Sequence, residues 1–504
     1  MDRATTAPAA PTDAAPVAVA GTRARLDRHA HIQHAAIVAV IVYLVCLAWM
    51  PRVMERLNPL TGDEPFYVMT SISLIDDGDL NELNNYQDGD FKRFYPAFGP
   101  TAEGWPGYPD PLPPHQSHTT RPGLYSKHGL GMALLVALPF EIGGRTLTLV
   151  VLAGIAALVA ANMALLARQF TSSDALAAAV ALALALTNPL LSFSLLIFPE
   201  MTAGLCIVYA ARRILAPSNR TWQWLLIGTC AAALPWLHYR LAPISVVIAI
   251  LAVVRHRRAM TLTDVLAALA IPIPSAIALF SWYQYLYESP LPPSEDHAGF
   301  SGLAGTINGF AGTFLDQQWG AYIHSPLLLM ATAAYLPFLL THRRDAVAIG
   351  AIVVPYLVLI ANYVVWWGEW NPPARYLTDI VPLAAAPLAW WLGTLGSRLR
   401  WLLFSAASLP SVAVMATFVL DPQRLYNHPD GTSNLLETWD RWLNLHLSQG
   451  IPSFVFYSAS PVGQRQVFGA LGACLLVACV LLAFLVSNRP RPEAERGLER
   501  SSSL

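Results

Sequence analysis

Apolar residues recur along nearly the whole chain in unbroken runs rather than in the alternating or one-faced patterns of a water-soluble domain. A run of about 20 apolar residues suffices to cross a bilayer as a helix. The pattern predicts spans near 34–51, 146–168, 174–190, 196–213, 221–237, 240–254, 263–285, 322–341, 346–366, 376–395, 401–420 and 466–487. A further stretch, GLGMALLVALPF at 129–140, is too short to span comfortably and ends at Pro139 and Glu141. It reads as a helix lying at the membrane interface. The expected fold is therefore an all-α polytopic membrane protein with about twelve transmembrane helices plus extracytoplasmic juxtamembrane helices.

Polar positions set the orientation. Arg212–Arg213, Arg255, Arg257–Arg258, Arg343–Arg344 and Arg398–Arg400 fall between spans that the twelve-helix count places on one side. Cationic residues accumulate in cytoplasmic loops, so both termini are expected in the cytoplasm of a multi-pass inner (plasma) membrane protein. The long loops 52–145, 286–321, 367–375 and 421–465 then face outward, and hold Asp76, Asp77, Asp79, Asp88 and Asp90. Within the last loop, Leu435, Leu436, Trp439, Trp442 and Leu443 share one helical face, which suits a helix lying on the lipid surface.

Composition agrees with the pattern. Of 504 residues, 55% are hydrophobic and only 12% charged, and the mean hydropathy is +0.45. The net charge of −1 hides a strong asymmetry between the two sides, and no nucleic-acid partner is expected. The five cysteines (Cys46, Cys206, Cys230, Cys474, Cys479) all lie in expected spans and suggest neither disulfides nor a zinc cluster. The first segment, rich in Ala, Pro and Thr, reads as a disordered cytoplasmic tail within 1–33. A transmembrane module over 34–395, a C-terminal helical portion over 396–487 and a cytoplasmic tail over 488–504 follow.

Candidate chemistry sits at span ends on the outer side. GDEPFY at 62–67 sets Asp63 and Glu64 before Pro65, an arrangement that suits either a helix cap or a catalytic pair. YSKHG at 125–129 carries Lys127, one of only two lysines, at the mouth of the membrane, where it either snorkels or meets a phosphate. FPE places Glu200 at the start of a span. HYR supplies His238 and Arg240. WWGEWNPPARYLTD supplies Glu369, Arg375 and Asp379 beside Trp366, Trp367 and Trp370, which read as an interfacial aromatic belt. No second histidine stands at helical spacing from His238, so its surroundings do not suggest a dedicated metal site. Carboxylates facing cations suit transfer from a phosphorylated donor: an acid takes a hydroxyl proton and cations stabilise the leaving phosphate.

The order GDExxY, YSKHG, FPE and ARY resembles the bacterial GT-C glycosyltransferases, multi-span enzymes related to protein O-mannosyltransferases and lipid A aminoarabinose transferases. The resemblance covers roughly residues 35 to 395. It implies a sugar transferase using a polyprenyl-phosphate donor and a glycan or lipid acceptor. It assigns Asp63 as general base with Glu64 beside it, Glu200 as a second acid and Lys127 as the phosphate lysine. Tyr67, His128, His238, Arg240 and Arg375 are the further substrate-binding candidates. A divalent metal such as Mg or Mn, if used, would sit at Asp63 and Glu200. The competing class is a polytopic transporter or lipid flippase, which predicts ionisable groups at the bilayer midplane and matching interrupted halves.

Overall fold

The structure, a computed structural model, describes residues 15–95, 102–107, 109–293, 299–455 and 462–487. The expected tail 488–504 lies outside these residues. The described residues form helices and short 3-10 turns joined by loops. Seven helices are long and apolar enough to cross a membrane: His31–Arg56, Leu130–Ala167, Tyr239–His256, Leu262–Tyr287, Arg343–Asn362, Ser397–Leu420 and Val462–Ser487. Shorter apolar helices (Asp174–Ala185, Pro326–Thr341 and Val381–Gly393) occupy other expected span positions. The chain is a multi-pass all-α membrane protein.

The first helix, α1 (Ala15–Arg56), reaches back into the segment expected to be disordered, because no proline follows Pro16 until Pro51. Beyond it α2 (Glu64–Asp76) and α3 (Leu83–Asp88) build the outer loop. The next helix, α4 (Leu130–Ala167), breaks at Gly143 and Gly144, whose backbones are not helical. This break separates the expected interfacial segment from the expected span. Met132, Ala133, Val136, Ala137 and Phe140 face the protein, while Leu134, Leu138 and Ile142 are exposed, as an apolar face against lipid would be.

Both α1 and α2 pack along α4, and so does α6 (Glu200–Leu215), which follows α5 (Asp174–Ala185). The succeeding α7 (Thr221–Leu237) and α8 (Ala242–His256) meet at a 3-10 turn over Tyr239–Leu241. Helices cannot gain hydrophobic energy by leaving lipid for one another, so close approach and buried polar contacts decide their packing. Gly129 and Gly131 show this: a Cβ on them would lie 2.5 Å from the Leu237 carbonyl oxygen and 2.8 Å from the Leu237 nitrogen. Lacking side chains, they let the start of α4 press against the end of α7.

Two expectations change. The segment expected to begin a span at 376 instead opens with 3-10 turns over Arg375–Asp379 and Val381–Ala384, and only then enters the helix Ala385–Gly393. The amphipathic helix Asn434–Leu443 turns Leu435 and Leu436 inward, and Trp439 Nε1 donates to Thr417 Oγ1 at 3.0 Å. Trp442 and Leu443 alone of its apolar face remain exposed, so the helix docks on the protein as much as on lipid.

Candidate active site

Asp63 occupies the N-cap position of α2, yet its side chain makes no capping hydrogen bond. Its backbone carbonyl accepts from Phe66 and Tyr67, while its carboxylate turns away to Arg375. The sharp entry depends on Gly62, at φ +63°, where a Cβ would also lie 3.0 Å from the Trp370 carbonyl oxygen. Positive φ is open to glycine at no steric cost. Arg375 follows Ala374, a non-glycine residue at φ 62°, which turns the chain so that the arginine points inward.

The Arg375 guanidinium spans two acids. Nη2 donates to Asp63 Oδ2 at 2.5 Å and Nε donates to Glu200 Oε1 at 2.8 Å. Arg240 Nη2 donates to the same Glu200 oxygen at 2.8 Å and lies 3.5 Å from Asp379 Oδ2, and its Nε donates to Tyr356 at 3.2 Å. Tyr356 in turn donates to Asp379. Both guanidinium groups lie over the Tyr376 ring, and Arg375 also over Phe198. The result is an alternating chain, Asp63–Arg375–Glu200–Arg240–Asp379, drawn from four separate stretches of sequence.

Exposure distinguishes its members. The Asp63 side chain keeps 21% of its surface exposed, whereas Glu200 and Asp379 keep none. Asp63 is thus the acid of this chain that meets the cavity, a space of about 590 Å³ lined by Gly62, Asp63, Phe66, His115, Glu369 and Trp370 among others. Burial alone would raise the Asp63 carboxyl, but the Arg375 guanidinium beside it prevails and holds it well below the usual carboxylate range. Burial likewise works against the charge on Arg375, and Asp63 with Glu200 keeps it protonated.

Glu64 takes a different position. It is wholly buried, and its Oε1 accepts from the Ile197 amide at 2.9 Å, tying the start of α2 to the turn that precedes Glu200. Burial raises its carboxyl. Tyr67 is buried close to Asp63 and Glu200. His238 caps the turn that carries Arg240: its Nδ1 accepts from the Arg240 amide at 3.2 Å.

Lys127 does not join the ion-pair chain. It lines a second cavity with Ser126, His128, Gly129, Trp236, Tyr239 and Trp282. The first turn of α4 borders this cavity at Leu130, so backbone N–H groups that have no partner within the helix start near the lysine. Between the two cavities stand His128 and His115, their Nε2 and Nδ1 atoms 3.1 Å apart. Phe66 stacks on His115 at 3.6 Å and on His128 at 5.5 Å. Burial pushes both imidazoles down to about 4, with Lys127 contributing in the same direction.

His115 carried no sequence signal, because a loop, not a helix, brings it thirteen residues back onto His128. Trp366 and Trp367 are buried against Trp319 and Phe454 and do not form the expected interfacial belt. Trp370 lines the Asp63 cavity and a third one with Trp105, Tyr426, His428, Arg424 and Arg441. A divalent ion shared by Asp63 and Glu200 does not fit: Arg375 already bridges them, and Glu200 Oε1 is engaged by two arginines.

No family model and no curated protein matches the chain. Among solved structures it is similar to the crystal structure of ArnT from Cupriavidus metallidurans bound to undecaprenyl phosphate. The two share 16% identity over 90% of this chain and 74% of that chain, with a TM-score of 0.46.

Proposed function

We propose that this protein is an integral-membrane glycosyltransferase that moves a sugar from a polyprenyl-phosphate-linked donor to a hydroxyl of a glycan or lipid on the extracytoplasmic face. The observation that carries the reading is Asp63: an ionised acid, oriented by a buried arginine, open to a cavity that abuts a second cavity holding Lys127. In this reading the donor phosphate lies by Lys127 and the first turn of α4, where a cation and helix amides favour an anion. The acceptor enters through the Asp63 cavity, with Trp370 as a face for a sugar ring. Its hydroxyl oxygen bonds to the anomeric carbon, the bond from that carbon to the phosphate oxygen breaks, and Asp63 Oδ1 takes the hydroxyl proton. The negative charge returns to the lipid phosphate beside Lys127. Attack from the face opposite the phosphate inverts the anomeric centre.

Arg375 has two effects on this step. It fixes the carboxylate and keeps it free of a proton, and it also lowers the basicity of Asp63. Such an acid works by position more than by proton affinity.

The test is transfer from radiolabelled polyprenyl-phosphate sugars by the purified protein in proteoliposomes, using an envelope lipid and glycan extract as acceptor. Asp63→Asn should abolish transfer in a protein that remains folded, as a cooperative thermal unfolding transition would show. Near-normal transfer in that variant defeats the assignment, and movement of intact donor across the bilayer without cleavage would establish a flippase instead.

A further inference from the structure

The pair of histidines between the two cavities has a geometry that the transfer step above leaves unused. Asp63, His115 and His128 each present one ligand-type atom, and these atoms all lie within 4.8 Å of one another. The imidazole nitrogens facing each other, His115 Nδ1 and His128 Nε2, are 3.1 Å apart. Two nitrogens bound at about 2.0–2.1 Å to one tetrahedral zinc stand roughly 3.3–3.4 Å apart. The two nitrogens therefore need only a few tenths of an ångström of adjustment, while the Asp63 oxygen, within 4.8 Å of both, must move further to complete the set.

Each ligand is held in place by something else. The His115 ring is stacked against Phe66 at 3.6 Å and an interplanar angle of 17°. The two histidine strands are tied by backbone bonds: Lys127 N donates to the His115 carbonyl at 2.9 Å, and Gln116 pairs with Ser126 in an antiparallel bridge. Arg375 clamps Asp63 through Oδ2, which leaves Oδ1 for a further partner. A metal site needs such support around its ligands, since it fixes their orientation before the ion arrives.

We propose that Asp63, His115 and His128 form a binding site for a divalent transition-metal ion of the zinc type, at the junction of the two cavities. Two nitrogens and one carboxylate oxygen are the donor set of three-ligand zinc sites, whose remaining position is left to water or substrate. Magnesium prefers an all-oxygen octahedron and is not suited to these ligands. Asp63 and His115 both line the 590 Å³ cavity that Glu369 and Trp370 also line, so a ligand of the ion would reach it from there. Ligation takes Asp63 Oδ1, the oxygen that serves as base in the transfer step, so the metal-bound state and the transfer-competent state exclude each other. The inference itself concerns binding and stands apart from the transferase reading.

The experiment uses the full chain in detergent, stripped with a chelator, dialysed and then titrated with Zn²⁺ alone, with no donor or acceptor present. Wild type should bind one zinc per chain and show a zinc-dependent rise in its thermal unfolding midpoint. His115→Ala and His128→Ala should each weaken binding by about tenfold or more. His118→Ala, an exposed histidine of the same loop, should bind as wild type does. Co²⁺ in place of zinc should give visible absorption bands in wild type that are lost in His115→Ala. A wild type that binds no zinc and shows no shift in midpoint overturns the site, whether or not the alanine variants fold. Equal zinc binding by wild type and a folded His115→Ala/His128→Ala double variant overturns it too. Zinc binding without sugar transfer would leave the site standing and remove the transferase reading; transfer by a protein that binds no zinc would do the reverse.

Discussion

At the scale of single residues, the division of labour among carboxylates follows from what each one touches. Glu200 accepts from two buried arginines, so its removal leaves two nearly buried guanidinium groups short of a partner. Breaking one side of a buried pair costs about 3–5 kcal/mol. Glu200→Ala should therefore lower the thermal unfolding midpoint sharply, while Asp63→Asn, which keeps an acceptor for Arg375 at the cavity wall, should lower it by less. Arg375→Lys should lower transfer by about 100-fold, because an ammonium cannot bridge two acids as the planar guanidinium does. An activity within a few-fold of wild type would show that the bridge is dispensable.

Glu82 gives a pH prediction. It is buried against α2, and its Oε1 lies 2.5 Å from Thr70 Oγ1, which itself donates to the Phe66 carbonyl at 2.9 Å. One hydroxyl hydrogen cannot serve both oxygens, so a protonated Glu82 donating to Thr70 satisfies all three groups. Burial pushes this carboxyl up to about 8 from an ordinary 4.5. Between these values the folded state keeps a proton that the unfolded state has lost, so stability falls as pH rises through the window. Glu82→Gln cannot titrate and should flatten that fall. Unfolding midpoints measured below and above the window check it, and parallel profiles for the two proteins would refute the assignment.

At the scale of elements, the site depends on how closely α4 approaches α7. A Cβ at Gly129 would meet a backbone carbonyl that cannot rotate away, so Gly129→Ala must displace the start of α4 and with it Lys127 and His128. Overpacking of this kind costs about 1–3 kcal/mol. The expected result is a lower unfolding midpoint together with a raised KM for the lipid donor. Trp370, by contrast, sits on a loop between two cavities. Trp370→Ala should raise the acceptor KM with kcat largely retained, as loss of uniform binding does. A fall in kcat alone would assign Trp370 to the chemical step.

At the scale of the whole molecule, the proposed chemistry requires both cavities to face outward and both termini to face the cytoplasm. The arginine clusters between spans argue for this orientation. Alkaline phosphatase fused after Ser487 should be inactive and a fluorescent protein at the same point bright; the opposite pattern would place the site on the cytoplasmic side.

The linear pattern by itself determined the class of molecule: runs of apolar residues long enough to cross a bilayer leave few other solutions, and their cationic flanks suggest an orientation. It also singled out Asp63, Glu200, Arg240 and Arg375, because charged groups at the ends of apolar runs are costly and stand out. It could not determine their pairing. Whether Asp63 caps its helix or meets an arginine 312 residues away depends on contacts that no local spacing encodes. For the same reason the tryptophans at 366 and 367 looked like a lipid-facing belt and proved buried, and Lys127 fell in a cavity of its own. His115 had no local signal at all: loop geometry brought it onto His128, and helical periodicity was the wrong test for a residue carried by a loop. Local sequence specifies which groups pay for being near the membrane. Only tertiary packing, which must pair every buried charge, decides which of them meet.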